Sequence, residues 1–239
     1  MTVADVRAML AVCSERDLRT LLAELEADAR AERDRLESLM TLQRELHCRG
    51  LKLVAGVDEV GRGALAGPVT AAAVVLHPDT LIAGLDDSKR VPRERRPALA
   101  LAIRADALAV CVADATPREI DALGIGAATR LAWRRAIEGL GVAVDHVLID
   151  GNDAAVDHPA TAVVGGDRKC ACIAAASVVA KVHRDRMMAE ELAPLYPAYG
   201  LEGNYGYGTP EHMAAIVEFG PSPVHRRSFA PCSEQGSLF

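Results

Sequence analysis

Aromatic residues are scarce in this 239-residue chain: three Phe, four Tyr and one Trp, 3% in all. With half of the residues hydrophobic, the core has to be packed from Ala, Val and Leu. A surplus of positive charge is absent as well, since 27 Lys and Arg face 33 Asp and Glu for a formal charge of -6. That balance excludes binding of polyanions by bulk charge, so any such activity must rest on local clusters of Arg and Lys. The six cysteines, at positions 13, 48, 111, 170, 172 and 232, form no C-x-x-C pair. A zinc ribbon or disulfide framework is thereby excluded, and scattered thiols in a reducing compartment are expected. No apolar run approaches the ~20 residues of a membrane span, and no cationic start leads into an apolar stretch. The expectation is a soluble, cytoplasmic monomer without membrane association. Repeats and low-complexity blocks are missing too, and the length suits one core domain with an appendage.

The most informative stretch is LKLVAGVDEVGRGALAGPVTAAAVVL, residues 51–76. A short apolar run ends in the adjacent acids Asp58 and Glu59, a glycine-rich segment follows, and a second apolar run closes it. The pattern predicts strand, sharp turn, strand, with the acids at the inner end of the hairpin. Acids at the end of a buried strand are costly unless a cation compensates them. Alternation along a strand sends Asp58 and Glu59 to opposite faces.

The first 50 residues read as helical, with 8 Arg, 10 Asp or Glu and no Lys. Thr2-x-x-Asp5 and Ser14-x-x-Asp17 resemble capping boxes. Leucines recur at helical spacing from Leu18 to Leu25 and again from Leu36 to Leu46. Glu32 and Gln43 break a strict heptad, so a helical hairpin or one long helix packed on the body is expected rather than a coiled coil. Arg30, Arg33 and Arg35 read as a solvated face. Beyond the hairpin, Asp86-Asp87-Ser88-Lys89 lies in a loop, residues 93–106 are predicted helical and 108–113 a strand. Thr116-Pro117 opens a helix, and another covers 127–140. Residues 146–150 form a strand that again ends in an acid, Asp150, and 161–164 a fifth strand. Gly165-Gly166-Asp167 turns into a long helix over 172–192, and a last helix covers 210–219. Hairpin strands followed by strands separated by helices point to a mixed α/β sheet flanked by helices.

Acids thus recur at Asp58/Glu59, at Asp150 and, between Lys181 and Arg184 on a helix, at Asp185. Converging carboxylates without His or Cys suit a hard, oxygen-preferring cation such as Mg²⁺ or Mn²⁺. Two such ions activate a water and stabilise the leaving oxygen of a phosphodiester.

From about residue 52 to 229 the chain resembles bacterial ribonuclease HII, the type 2 ribonuclease H. The likeness rests on VAGVDEVGRG (54–63), LDDSK (85–89), LIDGN (148–152), ASVVAKVHRD (176–185), GYGT (206–209) and HRRSF (225–229), in this order. It implies a ribonuclease H-like mixed five-stranded sheet with an N-terminal helical extension and a C-terminal helical segment. The implied activity is hydrolysis, on two metal ions, of the bond 5′ of a ribonucleotide in duplex DNA or of the RNA strand of a hybrid, leaving 3′-OH and 5′-phosphate. The resemblance makes Asp58, Glu59, Asp150 and Asp185 the catalytic metal-binding acids. Gly61, Arg62 and Gly63 match the loop that meets the ribose 2′-hydroxyl, the group that separates RNA from DNA. Tyr207 matches the tyrosine packed on the next sugar. Lys89, Lys181 and Arg226 stand as phosphate contacts, Lys181 with the alternative of holding the site's acids. Three positions depart from the family pattern: Tyr205 stands for a frequent Lys, Ala174 for a frequent Ser and Gly165 for a frequent Lys. They bear on phosphate affinity and its salt sensitivity, and none removes a matched acid.

The last residues, Gln235-Gly236-Ser237-Leu238-Phe239, resemble the pentapeptide by which bacterial repair proteins dock on the sliding clamp, with Gln235, Leu238 and Phe239 as contacts. The expected layout is an extension over 1–50, a catalytic core over 51–200, a substrate-contacting helical segment over 201–230 and a tail over 231–239. Two alternatives remain at this point: a ribonuclease HIII-like hybrid nuclease, and a non-catalytic, clamp-associated nucleic-acid adaptor.

Overall fold

A computed structural model describes residues 14–233; the Thr2 capping box and the contacts Gln235, Leu238 and Phe239 lie outside the described residues. Ser14 caps the first helix as its sequence predicts. Its hydroxyl accepts from Asp17 N–H at 3.2 Å while Asp17 Oδ2 accepts from Ser14 N–H at 3.1 Å. Helix α1 then runs unbroken over Glu15–Cys48, one helix rather than a hairpin. Only its second half is anchored. Leu36, Leu39, Met40 and Leu46 enter the core, and Gln43 Nε2 donates to Leu76 O at 2.8 Å.

The strands are β1 (Val54–Val60), β2 (Val69–Leu76), β3 (Ala107–Ala115), β4 (His146–Asp150) and β5 (Ala160–Val163). They form one sheet in the order β3-β2-β1-β4-β5. β1, β2 and β3 pair antiparallel, whereas β4 lies parallel to β1 and β5 parallel to β4. β1 is therefore central, with the hairpin on one side and the first crossover strand on the other.

Helices cover both faces: α2 (Arg96–Asp106), α3 (Pro117–Leu123), α4 (Ile125–Glu138) and α5 (Ala171–Arg186). Alternation along the strands divides the core in two. Val54, Ala72, Val74 and Leu148 pack with α1, α2 and α5, while Ala55, Val57, Ala71, Ala73 and Ile149 pack with α4. Alanines 174 to 176 of α5 are fully buried, and small side chains let that helix approach closely. At Gly56 a Cβ would sit 2.2 Å from the Cys172 backbone carbon, so only glycine fits there. The closeness fixes how α5 runs, since its start lies over Gly56 and its end over Gly61.

Past α5 the chain makes a π-helical stretch at Met187–Leu192, the short α6 (Leu201–Asn204) and α7 (Pro210–Phe219). This segment folds back onto the hairpin loop, where Leu65 and Ala66 share a small core with Met188, Tyr199, Leu201, Ala215 and Ile216. Among the described residues no helix is long and apolar enough to cross a membrane.

Candidate active site

Parallel pairing sets Val57 opposite Ile149, so the next residues, Asp58 and Asp150, end neighbouring strands side by side. Val57 and Ile149 face α4, and alternation turns both aspartates toward α5. The turn after β5 brings a third acid to the same place. Gly166 N–H donates to Asp150 Oδ1 at 2.6 Å, and Asp167 follows directly. Asp58 and Asp167 are 8% and 7% exposed. Burial raises the pKa of both; the charges of Glu59 and Asp150 add to it for Asp58, and those of Asp150 and Asp87 for Asp167. The Ser177 hydroxyl opposes the shift at Asp58 and shares a hydrogen bond with Ser88 Oγ at 2.9 Å, which ties the Asp86–Lys89 loop to the group. Among the described residues no three His, Cys, Asp or Glu side chains are closed into a ligand cage.

Glu59 faces the other way. Its carboxylate lies on the α4 side, where Trp133 Nε1–H donates to Oε2 at 2.9 Å and Arg62 Nη1 lies 3.3 Å from Oε1. Burial raises its pKa, opposed by these two donors.

The loop after β1 is shaped by two buried arginines. Gly61 has φ +86, and a Cβ on it would lie 2.2 Å from Arg184 Nε. Arg184 donates to Pro68 O at 2.9 Å, Ala66 O at 3.0 Å and Tyr205 O at 2.9 Å. Arg226 donates to Gly67 O at 3.0 Å, Arg62 O at 2.8 Å and Gly61 O at 2.6 Å. Both residues are 0% exposed; burial, then the charge of Arg184, pushes the Arg226 pKa down to about 9. The structure thus corrects the reading of Arg226 as a phosphate contact. Its three donor groups are spent on backbone carbonyls, and it shapes the Gly61–Gly63 loop from beneath. Arg184 binds that same hairpin segment to the loop carrying Tyr207, whose ring lies 5.5 Å from the Arg184 guanidinium and 6.0 Å from Lys181 Nζ. Lys89 and Arg62 are exposed, and Lys89 acts electrostatically on Asp167.

Asp185 is not brought to the other acids. It lies eight residues beyond Ser177 on a helix that follows β1, about 12 Å further along. Its carboxylate is taken by Lys181 Nζ at 2.8 Å. It lines instead a groove of about 300 Å³ with Arg93, Arg96, Arg186, Glu190 and Tyr205. Tyr205, at φ 52, bonds Arg93 through its hydroxyl and stacks under Arg93 and Lys181. The residue that sequence reasoning passed over is Asp167. Its signal was present: an acid stands in the Gly-Gly turn just after the last strand, as Asp150 stands at the end of the strand before it.

A family model described as Ribonuclease HII matches residues 55–232. The ribonuclease HII of Moorella thermoacetica is 51% identical over 199 residues, 83% of this chain and 96% of that protein. The Bacillus licheniformis ribonuclease HII is 47% identical over 201 residues, 84% of this chain and 78% of that protein. Among solved structures, the ribonuclease H2 from Pyrococcus horikoshii OT3 superposes with a TM-score of 0.64 at 25% identity, covering 75% of this chain and 95% of that one.

Proposed function

The chain belongs to the ribonuclease HII family and is a nuclease, and we propose that it cuts on the 5′ side of a ribonucleotide embedded in duplex DNA, leaving 3′-OH and 5′-phosphate. The RNA strand of an RNA–DNA hybrid is the second substrate class. The observation that carries this reading is the convergence of Asp58, Asp150 and the Asp167 turn on one sheet face, beside the Gly61–Gly63 loop. In this reading the cation-binding acids are Asp58, Glu59, Asp150 and Asp167, with Asp167 taking the part that the resemblance implied for Asp185. Their all-oxygen donor set fits a hard divalent ion, and the raised pKa values of Asp58 and Asp167 mark uncompensated negative charge that such an ion relieves. When bound, Mg²⁺ or Mn²⁺ ions, two in number, supply an activated water and stabilise the leaving oxygen.

The chain's own residues do the positioning. Glycine at 61 and 63 lets backbone approach the ribose 2′-OH, and the Arg226 and Arg184 clamps keep that loop from relaxing. Tyr207 packs against the sugar on the 3′ side, and Lys89 and Arg62 meet phosphates. Residues 51–200 serve as the catalytic core, 201–230 as the substrate-contacting segment and 1–50 as the extension. We propose a cytoplasmic, monomeric enzyme whose role is the removal of misincorporated ribonucleotides. Membership in a nuclease family sets the adaptor reading aside. The hybrid-only alternative is decided by substrate.

The test is cleavage mapping on an all-DNA duplex, a duplex with one ribonucleotide and an RNA–DNA hybrid, each with Mg²⁺ or Mn²⁺. Nicking 5′ of the single ribonucleotide is expected, lost in Asp150→Asn and Asp167→Asn with binding retained, and kept in Asp185→Asn. Cleavage of the hybrid alone sinks the substrate assignment. An active Asp167→Asn beside a dead Asp185→Asn restores the sequence-based set of acids.

A further inference from the structure

The single tryptophan of the chain sits in α4 at 4% exposure. A buried indole carries one donor, which needs an acceptor. Here that acceptor is Glu59 Oε2, at 2.9 Å. The other oxygen, Oε1, meets only the exposed guanidinium of Arg62, at the longer distance of 3.3 Å. The carboxylate is therefore gripped at one oxygen from the protein interior and left exchangeable at the other. The indole itself is fixed, because Ala132, Ala136 and Ile137 of the same helix are buried against Val57, Ala71 and Ile149.

Glu59 leaves β1 toward α4, opposite Asp58 and Asp150, yet lies near enough for its charge to act on Asp58 and for that of Asp150 to act on it; without the indole no group of the protein interior would hold it there. We infer that Trp133 is a positioning residue for cation binding: its indole N–H fixes the Glu59 carboxylate by Oε2 on the α4 side of the strand end and leaves Oε1 free to exchange Arg62 for a cation. The inference rests on Glu59 belonging to the cation site proposed above. It also makes Trp133 a built-in reporter, since a cation drawn to Oε1 changes the charge seen by the only indole in the chain. Outer-shell hydrogen bonds of this kind alter cation affinity by about 10–100-fold. Phe at this position fills most of the same space and donates nothing.

The experiment is calorimetric titration of the full chain with Mn²⁺, repeated with Mg²⁺, while tryptophan emission is followed. Emission is expected to change in step with the heat of binding, and the change to vanish in Asp150→Asn and Glu59→Gln. Trp133→Phe should bind Mn²⁺ about 10-fold more weakly with an unchanged circular dichroism spectrum. Ile137→Val, a packing change on the same helix, should lower the melting temperature and leave the affinity alone. Silent emission across a saturating titration, wild-type affinity in Trp133→Phe, or an equal loss of affinity in Ile137→Val each overturns the positioning role and leaves the cation site standing. Absence of binding heat with either ion in the wild type removes the cation site itself, and this inference with it.

Discussion

Acidification from pH 7 to about pH 5 is expected to cost this protein about 2 kcal/mol through one side chain, His225. Its Nδ1 accepts from Ser222 N–H at 3.0 Å, so the ring proton belongs to Nε2, which lies 3.0 Å from His212 Nε2. His212 must then accept at Nε2 and donate from Nδ1 to Tyr207 O, 2.9 Å away. The relay is satisfied only with both rings neutral; a further proton sets two N–H groups against each other. Burial, then the charges of His212 and Arg227, pushes the His225 pKa down to about 4 from 6.5. The Tyr199 ring at 4.7 Å and the Arg226 guanidinium offer no anion to offset a charge. Because the folded-state value is depressed, the unfolded chain takes up the proton first. The contribution is complete above pH 6.5 and is lost as pH falls toward 4, at about 1.4 kcal/mol per unit. The pKa of His212 is lowered as well, also mainly by burial, and adds in the same direction. Urea unfolding across this range, for wild type and His225→Gln, measures it. Gln keeps a donor near Nε2 and does not titrate. The variant should start less stable, and the gap should narrow by about 2 kcal/mol between pH 7 and pH 5. Parallel stability curves would refute the relay. Because the relay ends on the Tyr207 carbonyl, substrate KM should rise over the same window.

Three further outcomes separate the loops from the surface. Arg226→Lys orphans at least one carbonyl of the Gly61–Gly67 segment and should cost about 2–3 kcal/mol in unfolding, while leaving the salt dependence of substrate binding unchanged; Lys89→Ala should spare stability and lower that salt slope by about 1. Equal effects of the two on the slope would return Arg226 to the phosphate contacts. Gly61→Ala brings a Cβ to 2.2 Å from Arg184 Nε and should reduce single-turnover nicking, with Mn²⁺ affinity by calorimetry unaltered. Ending the chain at Ser233 should abolish capture on immobilised sliding clamp without changing nicking of a short duplex, and equal capture means the tail is inert.

Much of the fold was legible because backbone geometry writes itself into residue type. The glycine-rich break between two Val/Ala runs fixed the hairpin, and the Ser14–Asp17 and Thr116–Glu119 boxes fixed two helix starts. Strand β3 runs to 115, past the predicted 113, because pairing with β2 continues through Asp114, whose carboxylate bonds Thr70. The helix expected over 172–192 gives way to a π-helical stretch at Met187. Trp133 carried no signal at all, since its partner lies 74 residues away in sequence.

For the site, residue type was legible and partnership was not. Asp185 drew attention by its flanking cations, yet a Lys four residues earlier on a helix is already a partner, and the ion pair at 2.8 Å removes both from the acid group. The same reasoning sorts the basic residues of the matched motifs. Arg184 and Arg226 are consumed by backbone carbonyls, Lys181 by Asp185 and Arg62 in part by Glu59, which leaves Lys89 as the exposed cation of these motifs that acts on the acids, together with Arg168 beside Asp167. In a chain of net charge -6, a polyanion can be held only where such free cations border the acid group, so the binding footprint is set less by how many arginines the motifs contain than by how few of them the fold leaves unspent.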